Sequence, residues 1–224
     1  MARKNAIRAL AQEDKDARRI VILDAARTCF QQDMRQLPSV ATIADASSLA
    51  KGTVYLYFKT KESIFAALLA AEFAALFGLI RDILVIPGTR EAIVGRFLTG
   101  MLAYLDEHPE FLHLDAMSYS VLERNLDETT LRQFKLDLVR GLEACGRQLE
   151  LALQFEQGRG VPLLTRTYAL ARGIWQSLDY PPGLGRIIAE PDFASIRPDF
   201  RSELVAALNE YWTGVLVLSD EHHV

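Results

Sequence analysis

Residues 39–65 read SVATIADASSLAKGTVYLYFKTKESIF, and the order of small, polar and apolar residues in this stretch specifies two short helices and the start of a third. Ser39 is a good N-cap, with a hydroxyl for orphan backbone donors, and Val40, Ile43 and Ala44 follow at helical spacing over about two turns. Residues 46–50 are small or polar and too few for another element, so they predict a tight turn, with Leu49 plugging the crevice between the helices. A second helix is expected over 51–58, with Val54 and Phe58 four apart on its inner face. Gly52, Thr53, Leu56 and Tyr57 then project from the other face, and Lys51 and Tyr55 stand at the border. Thr60 caps the next helix, whose first turn carries Lys61.

The chemistry available to such a second helix is that of a rod in a groove. The major groove of B-DNA admits an α-helix, and its base edges offer donors, acceptors and thymine methyls. Short side chains such as those of Gly52 and Thr53 let the backbone approach, and tyrosine hydroxyls and lysine ammonium groups suit phosphate oxygens. The candidate DNA-contacting set is therefore Ser39, Thr42, Ala50, Lys51, Gly52, Thr53, Tyr55, Tyr57 and Lys61, with Lys59 adding charge.

These residues carry a resemblance. The run Thr42-Ile43-Ala44, Lys51 through Phe58, and Lys61-Glu62-Ser63-Ile64-Phe65 resembles the DNA-binding signature of the TetR family of bacterial transcriptional regulators. The likeness covers about residues 18–65, including a preceding helix with Ile20, Leu23, Ala26 and Phe30 at three-to-four spacing. There are two departures. Ser48 stands where the family usually has the turn glycine, and Ala50 where a serine or threonine usually caps the recognition helix. The resemblance implies a homodimer built on the last two helices, a palindromic double-stranded operator, and a small-molecule effector held in the second domain.

Charge is unevenly spread. Through Lys61 there are 11 Lys and Arg against 6 Asp and Glu, leaving 14 basic and 23 acidic residues for the remainder, so the basic end is the helix-turn-helix end. Arg3, Lys4, Arg8, Lys15, Arg18 and Arg19 suggest a flexible basic arm, with its flexible part over 1–17 and Arg18 and Arg19 at its junction with the next domain. No apolar run approaches the roughly 20 residues of a membrane span, and the start lacks the apolar middle of a signal peptide. The expected location is cytoplasmic, with no membrane partner. Cys29 and Cys145 lie far apart within helical patterns and read as buried thiols. His108 and His113 are five apart, off the spacing that aligns two metal ligands on one helical face, and His222 and His223 fall in a polar tail over 219–224. No phosphate loop, nucleophile elbow or dinucleotide fingerprint is present, so neither a catalytic residue nor a cofactor is expected.

Beyond residue 65 the whole pattern is helical, giving an all-α chain: a three-helix DNA-binding domain over 18–65 and a larger helical ligand-binding and dimerisation domain over 66–218. Helices are expected over 61–84, ended by Pro87-Gly88; over 89–107, capped by Thr89; from His108-Pro109 onward; over 128–155; over 163–178, after a breaker at 158–162; and from Asp199 to 218, after a loop at 179–185. Phe73, Phe77, Phe97, Met101, Tyr104, Phe111, Met117, Tyr119, Phe134 and Trp175 are candidates for an apolar effector cavity, with Arg96, His113 and Arg172 as anion-orienting groups. The last two long helices are apolar around much of their girth and predict a four-helix interface through Leu164, Tyr168, Ala171, Trp175, Leu204, Leu208, Tyr211, Trp212 and Val215. Two recognition helices about 34 Å apart would then enter successive major grooves. The contrasting reading is a helical small-molecule-binding protein or enzyme that keeps the helix-turn-helix as a scaffold.

Overall fold

The computed structural model describes residues 2–220, with side chains over 14–219. Among the described residues there is no strand, and the expected all-helical class holds. The α-helices are α1 (Ala2–Gln32), α2 (Val40–Ala46), α3 (Lys51–Tyr57), α4 (Lys61–Leu84), α5 (Arg90–Glu107), α6 (Glu110–Ala116), α7 (Glu128–Leu153), α8 (Gly160–Leu178), α9 (Pro182–Ile188) and α10 (Phe200–Asp220). A π-helical turn (Ser118–Leu122) and 3-10 turns at Glu123–Asn125 and Pro191–Ile196 complete the set.

Most boundaries follow from local chemistry. Thr60 Oγ1 accepts from the Ser63 amide at 3.1 Å while Ser63 Oγ accepts from the Thr60 amide at 3.2 Å, a reciprocal cap that opens α4. Thr89 caps α5 through the Ala92 amide at 3.3 Å, and Asp127 and Asp199 cap α7 and α10 through the amides of Thr130 and Ser202 at 3.0 and 2.9 Å.

The departures are also physical. Helix α1 begins at Ala2, so the expected arm over 1–17 continues a helix; the stretch has neither glycine nor proline to break it. The side chains of Arg3, Lys4 and Arg8 lie outside the described residues, as do His222 and His223. Helix α8 starts inside the expected breaker. Its third residue, Pro162, lacks an amide hydrogen that would have no intrahelical acceptor in the first turn anyway. The expected loop at 179–185 instead passes into α9, which starts at Pro182. Helix α4 is long and apolar enough by composition to cross a bilayer, contrary to the expectation of no such run. Half of that apolar window is buried in the chain, and the helix carries a buried Glu72 paired with the part-buried Arg27, as a core helix does.

Packing divides the chain into two compact units, one of Met1–Glu72 and Pro109–Asp137, the other of Phe73–His108 and Leu138–Val224. By packing, therefore, segment 109–137 groups with the helix-turn-helix, whereas the sequence reading sets the boundary between its two helical domains at 65/66. In the first unit Ile22, Ala26, Phe30, Ile43, Val54, Ile64 and Phe65 are fully buried, and the Phe30 and Phe65 rings meet at 5.6 Å. Each of the larger side chains among them contributes roughly 1.5–3 kcal/mol. Ile20, expected inward, is 58% exposed; Ile22 takes the inner face beside Ala25, Ala26 and Cys29. Leu49, expected to plug the crevice between α2 and α3, is half-buried. Arg27 joins α1 to α4 and α6 within this unit, at 2.6 Å from Glu72 Oε1 and 3.2 Å from Glu110 Oε1, and Gln31 donates to Glu110 Oε2 at 2.9 Å. Burial alone would lower the Arg27 pKa. The hydrogen bond and charge of Glu72, with the charges of Glu110 and Asp24, outweigh it and hold the guanidinium above its ordinary value.

In the second unit α8 and α10 pack along Leu163, Leu164, Thr167 and Ala171 against Leu204, Leu208, Trp212 and Val215, all buried. Trp212 Nε1 donates to Thr167 Oγ1 at 3.1 Å, and the Trp212 and Phe97 rings form a T-shaped pair with centroids 5.6 Å apart. Helices α7 and α8 meet glycine to glycine: a Cβ on Gly160 would collide with the Gly146 carbonyl oxygen. Cys145 is buried, as expected. Its thiol donates to the Phe77 carbonyl at 3.3 Å, and burial pushes its pKa up to about 11, so it stays protonated and inert at neutral pH.

Candidate nucleic-acid interface

Helix α2 is opened by Ser39, whose Oγ accepts from the Thr42 amide at 3.1 Å and meets Thr42 Oγ1 at 2.9 Å. The turn that follows places Ser48 at φ 55°, in the left-handed region that explains why glycine is usual there. Ala50 then occupies the N-cap of α3 with no side-chain hydrogen bond, leaving that helix uncapped at its start. Val54 and Phe58 fix α3 to the core, in keeping with their spacing.

With that face buried, the opposite side of α3 is open. Lys51, Gly52, Tyr55 and Leu56 are exposed and Thr53 is half-buried. A Cβ added to Gly52 would meet nothing within 4 Å, so no internal packing requires a glycine. Beside this face runs an open groove of about 430 Å³ lined by Leu37, Ser39, Val40, Ala41, Lys51, Tyr55, Lys59, Thr60, Lys61 and Glu62. Three lysines and one carboxylate line it, so its field suits a polyanion. Ser39, Lys51, Tyr55 and Lys61 from the expected set are thus brought together, and Lys59 and Thr60 join them. Thr42, in the first turn of α2, and Ala50, at the N-cap of α3, are exposed.

Tyr57 departs from the expected set. Two residues on from Tyr55, it points some 200° away around the helix and, half-buried, lines a separate cleft of about 650 Å³ with Arg19, Phe58, Phe134 and Asp127. There the Arg19 guanidinium sits 4.4 Å from the Phe58 ring centroid. The sequence reading puts Arg19 in a basic arm; its place in this cleft depends on the return of 109–137 to this unit, which no local pattern records.

The effector candidates separate by unit. Phe111, Met117, Tyr119 and Phe134 fall in the first unit and the other six in the second. Tyr119 is 65% exposed under the Lys135 ammonium, 4.8 Å from its ring, and does not line an interior. Phe73, Phe77 and Tyr168 form an aromatic cluster, with ring centroids of 6.0 and 5.6 Å about Phe73. Phe97, Met101 and Tyr104 are buried and Trp175 is half-buried. Arg96 donates from one guanidinium nitrogen to the Ile86 and Pro87 carbonyls at 2.7 and 3.3 Å, in the loop that follows α4.

Six of the nine expected interface residues are taken up within the chain itself. Leu164, Ala171, Leu204, Leu208, Trp212 and Val215 are already buried within one chain as the α8–α10 seam, and Tyr168, Trp175 and Tyr211 are half-buried. The outward stripes are instead Thr165, Ala169, Gly173 and Gln176 on α8, and Ala206, Glu210, Thr213, Gly214 and Val217 on α10. Helical periodicity locates both helices but cannot tell which apolar stripe is used within the chain.

Comparison with known proteins gives the same architecture. Residues 22–68 match the family model described as bacterial regulatory proteins, tetR family, and residues 65–218 match one described as Tetracyclin repressor-like, C-terminal domain. An uncharacterized HTH-type transcriptional regulator of Bacillus subtilis (strain 168), YfiR, is 36% identical over 56 residues, which are 25% of this chain and 27% of that protein. The match therefore spans about a quarter of the length of that curated relative. A protein of Streptomyces coelicolor A3(2) described as a possible TetR family transcriptional regulator superposes with a TM-score of 0.57 at 16% identity, over 89% of this chain and 99% of that one. The TetR family regulator PfmR of Thermus thermophilus gives 0.52 at 18% identity, over 84% and 94%. At those identities the likeness is one of fold. The family and these neighbours are transcriptional regulators and not enzymes.

Proposed function

Because this chain belongs to the tetR family of bacterial regulatory proteins, we propose that it is a sequence-specific DNA-binding repressor, acting in the cytoplasm as a homodimer on a palindromic operator and released by a small hydrophobic ligand. The observation that carries the reading is the basic groove of Ser39, Lys51, Tyr55, Lys59 and Lys61 beside an outward Gly52 that nothing in the chain requires. A glycine inside a helix costs roughly 1 kcal/mol against alanine, and here the compensation lies outside the molecule, in close approach of the α3 backbone to base edges. Thr53, next to Gly52, reaches the same edges, and Thr42 and Lys61 hold phosphates.

Dimerisation through the outward stripes of α8 and α10 pairs two recognition helices for successive half-sites. The aromatic cluster of Phe73, Phe77 and Tyr168, with buried Phe97, Met101 and Tyr104, supports an apolar effector in the second unit. The test is selection from a random duplex library by the purified protein, followed by titration of the enriched duplex with Gly52→Leu. The variant should be at least as heat-stable as the parent and bind at least about tenfold more weakly, the loss of one good base-edge contact. Failure to enrich any duplex, or undiminished binding by Gly52→Leu, contradicts the reading.

A further inference from the structure

We infer that Leu56 selects thymine, seating its isobutyl group against the C5-methyl in the major groove. The inference rests on the duplex-binding reading above and names what that interface recognises. Leu56 is 80% exposed, although Val54 on the same helix and Phe58 at its C-cap are buried. It lies four residues after Gly52, so the two share one side of α3, and the absence of a side chain at Gly52 leaves the Leu56 methyls as the most prominent apolar group on that side. Leu56 lines neither the basic groove nor the cleft that holds Tyr57. The phosphate-seeking side chains Lys51, Tyr55 and Lys61 occupy the adjoining side, which turns Leu56 toward the base edges when they engage the backbone.

An isobutyl group has no donor or acceptor, so the N and O edges of guanine, cytosine and adenine give it nothing in return for their lost water. The thymine methyl is the one apolar group among the four bases in that groove. Burial of that methyl against Leu56 favours thymine over uracil at one position by about fourfold per half-site.

The experiment uses the full chain and the duplex enriched from a random library, with thymine replaced by uracil one position at a time and affinity read by fluorescence anisotropy. For the parent protein, one thymine per half-site should show a loss of about fourfold on removal of its methyl. For Leu56→Ala, which changes only an exposed side chain, the same replacement should leave affinity unchanged while the salt dependence stays that of the parent. Uracil tolerated at every position, or equal sensitivity in Leu56→Ala, overturns the inference and leaves duplex binding standing. A parent protein that enriches no duplex overturns the duplex-binding reading and this inference with it.

Discussion

Ser48 and Gly52 show how single residues divide between stability and function. Ser48 is held at φ 55°, which costs a non-glycine residue roughly 1–2 kcal/mol, so Ser48→Gly should raise stability by roughly 1 kcal/mol. For a chain of this size that is a midpoint rise of about 2–4 °C in a calorimetric scan; no rise would mean the turn relaxes around serine without strain. Gly52 is the converse, since its conformation is helical and its surroundings are empty. At this scale much is legible in the sequence. Ser39 as a cap and Val54 with Phe58 as the inner face follow from rules that span four residues. Ile20 against Ile22 is not, because several apolar residues in one turn leave the facing register to the partner surface. Nor is the division between Tyr55 and Tyr57, which depends on the second cleft.

Elements are fixed mainly at their ends. Thr60, Thr89, Asp127 and Asp199 are each readable as starts because a cap acts on amides two or three residues away. The carboxylates of Asp127 and Asp199 are held below the usual aspartate range, first by the backbone amides of Thr130 and Ser202 and then by the hydroxyls of the same residues. A lowered folded-state pKa means that these caps contribute fully above the unfolded value of about 3.9 and lose their contribution as pH falls through the lower folded value. The stability difference between the parent and a doubly substituted Asp127→Ala, Asp199→Ala chain should therefore be constant at neutral pH and shrink below about pH 4, as followed by urea unfolding. A difference that persists unchanged into strong acid would assign the effect to helix propensity and not to ionised caps. What the sequence does not carry at this scale is the π-helical turn Ser118–Leu122 and the short helix α9, since neither has a periodic signature long enough to register.

For the whole molecule, the all-helical class and the family are legible from periodicity and a single motif, while the assignment of surfaces is not. Leu208 illustrates the difference: its stripe marks α10 as amphipathic, but the structure commits that stripe to the chain's own core. Substituting a charge there would unfold the protein without reporting on association. The discriminating positions are Gly173 and Gly214, where an added Cβ meets nothing within 4 Å in the single chain. On the proposed homodimer, Gly173→Arg with Gly214→Arg should leave the helical circular dichroism intact and sediment as a monomer, against a dimer expected for the parent at the same concentration. A doubly substituted chain that still sediments as a dimer would move the interface elsewhere. Segment 109–137 is the other feature beyond local rules, because its place with α1 rests on Glu110 meeting Arg27 and Gln31, the latter 79 positions away in sequence.

The central claim, that the basic groove beside α3 holds the phosphates of duplex DNA, is tested most directly by the slope of log affinity against log salt for the enriched duplex. Counterion release predicts a steep negative slope, and Lys61→Ala should lower its magnitude by about 1 while weakening binding to every duplex alike. A slope near zero, or one that Lys61→Ala leaves unchanged, would contradict the account.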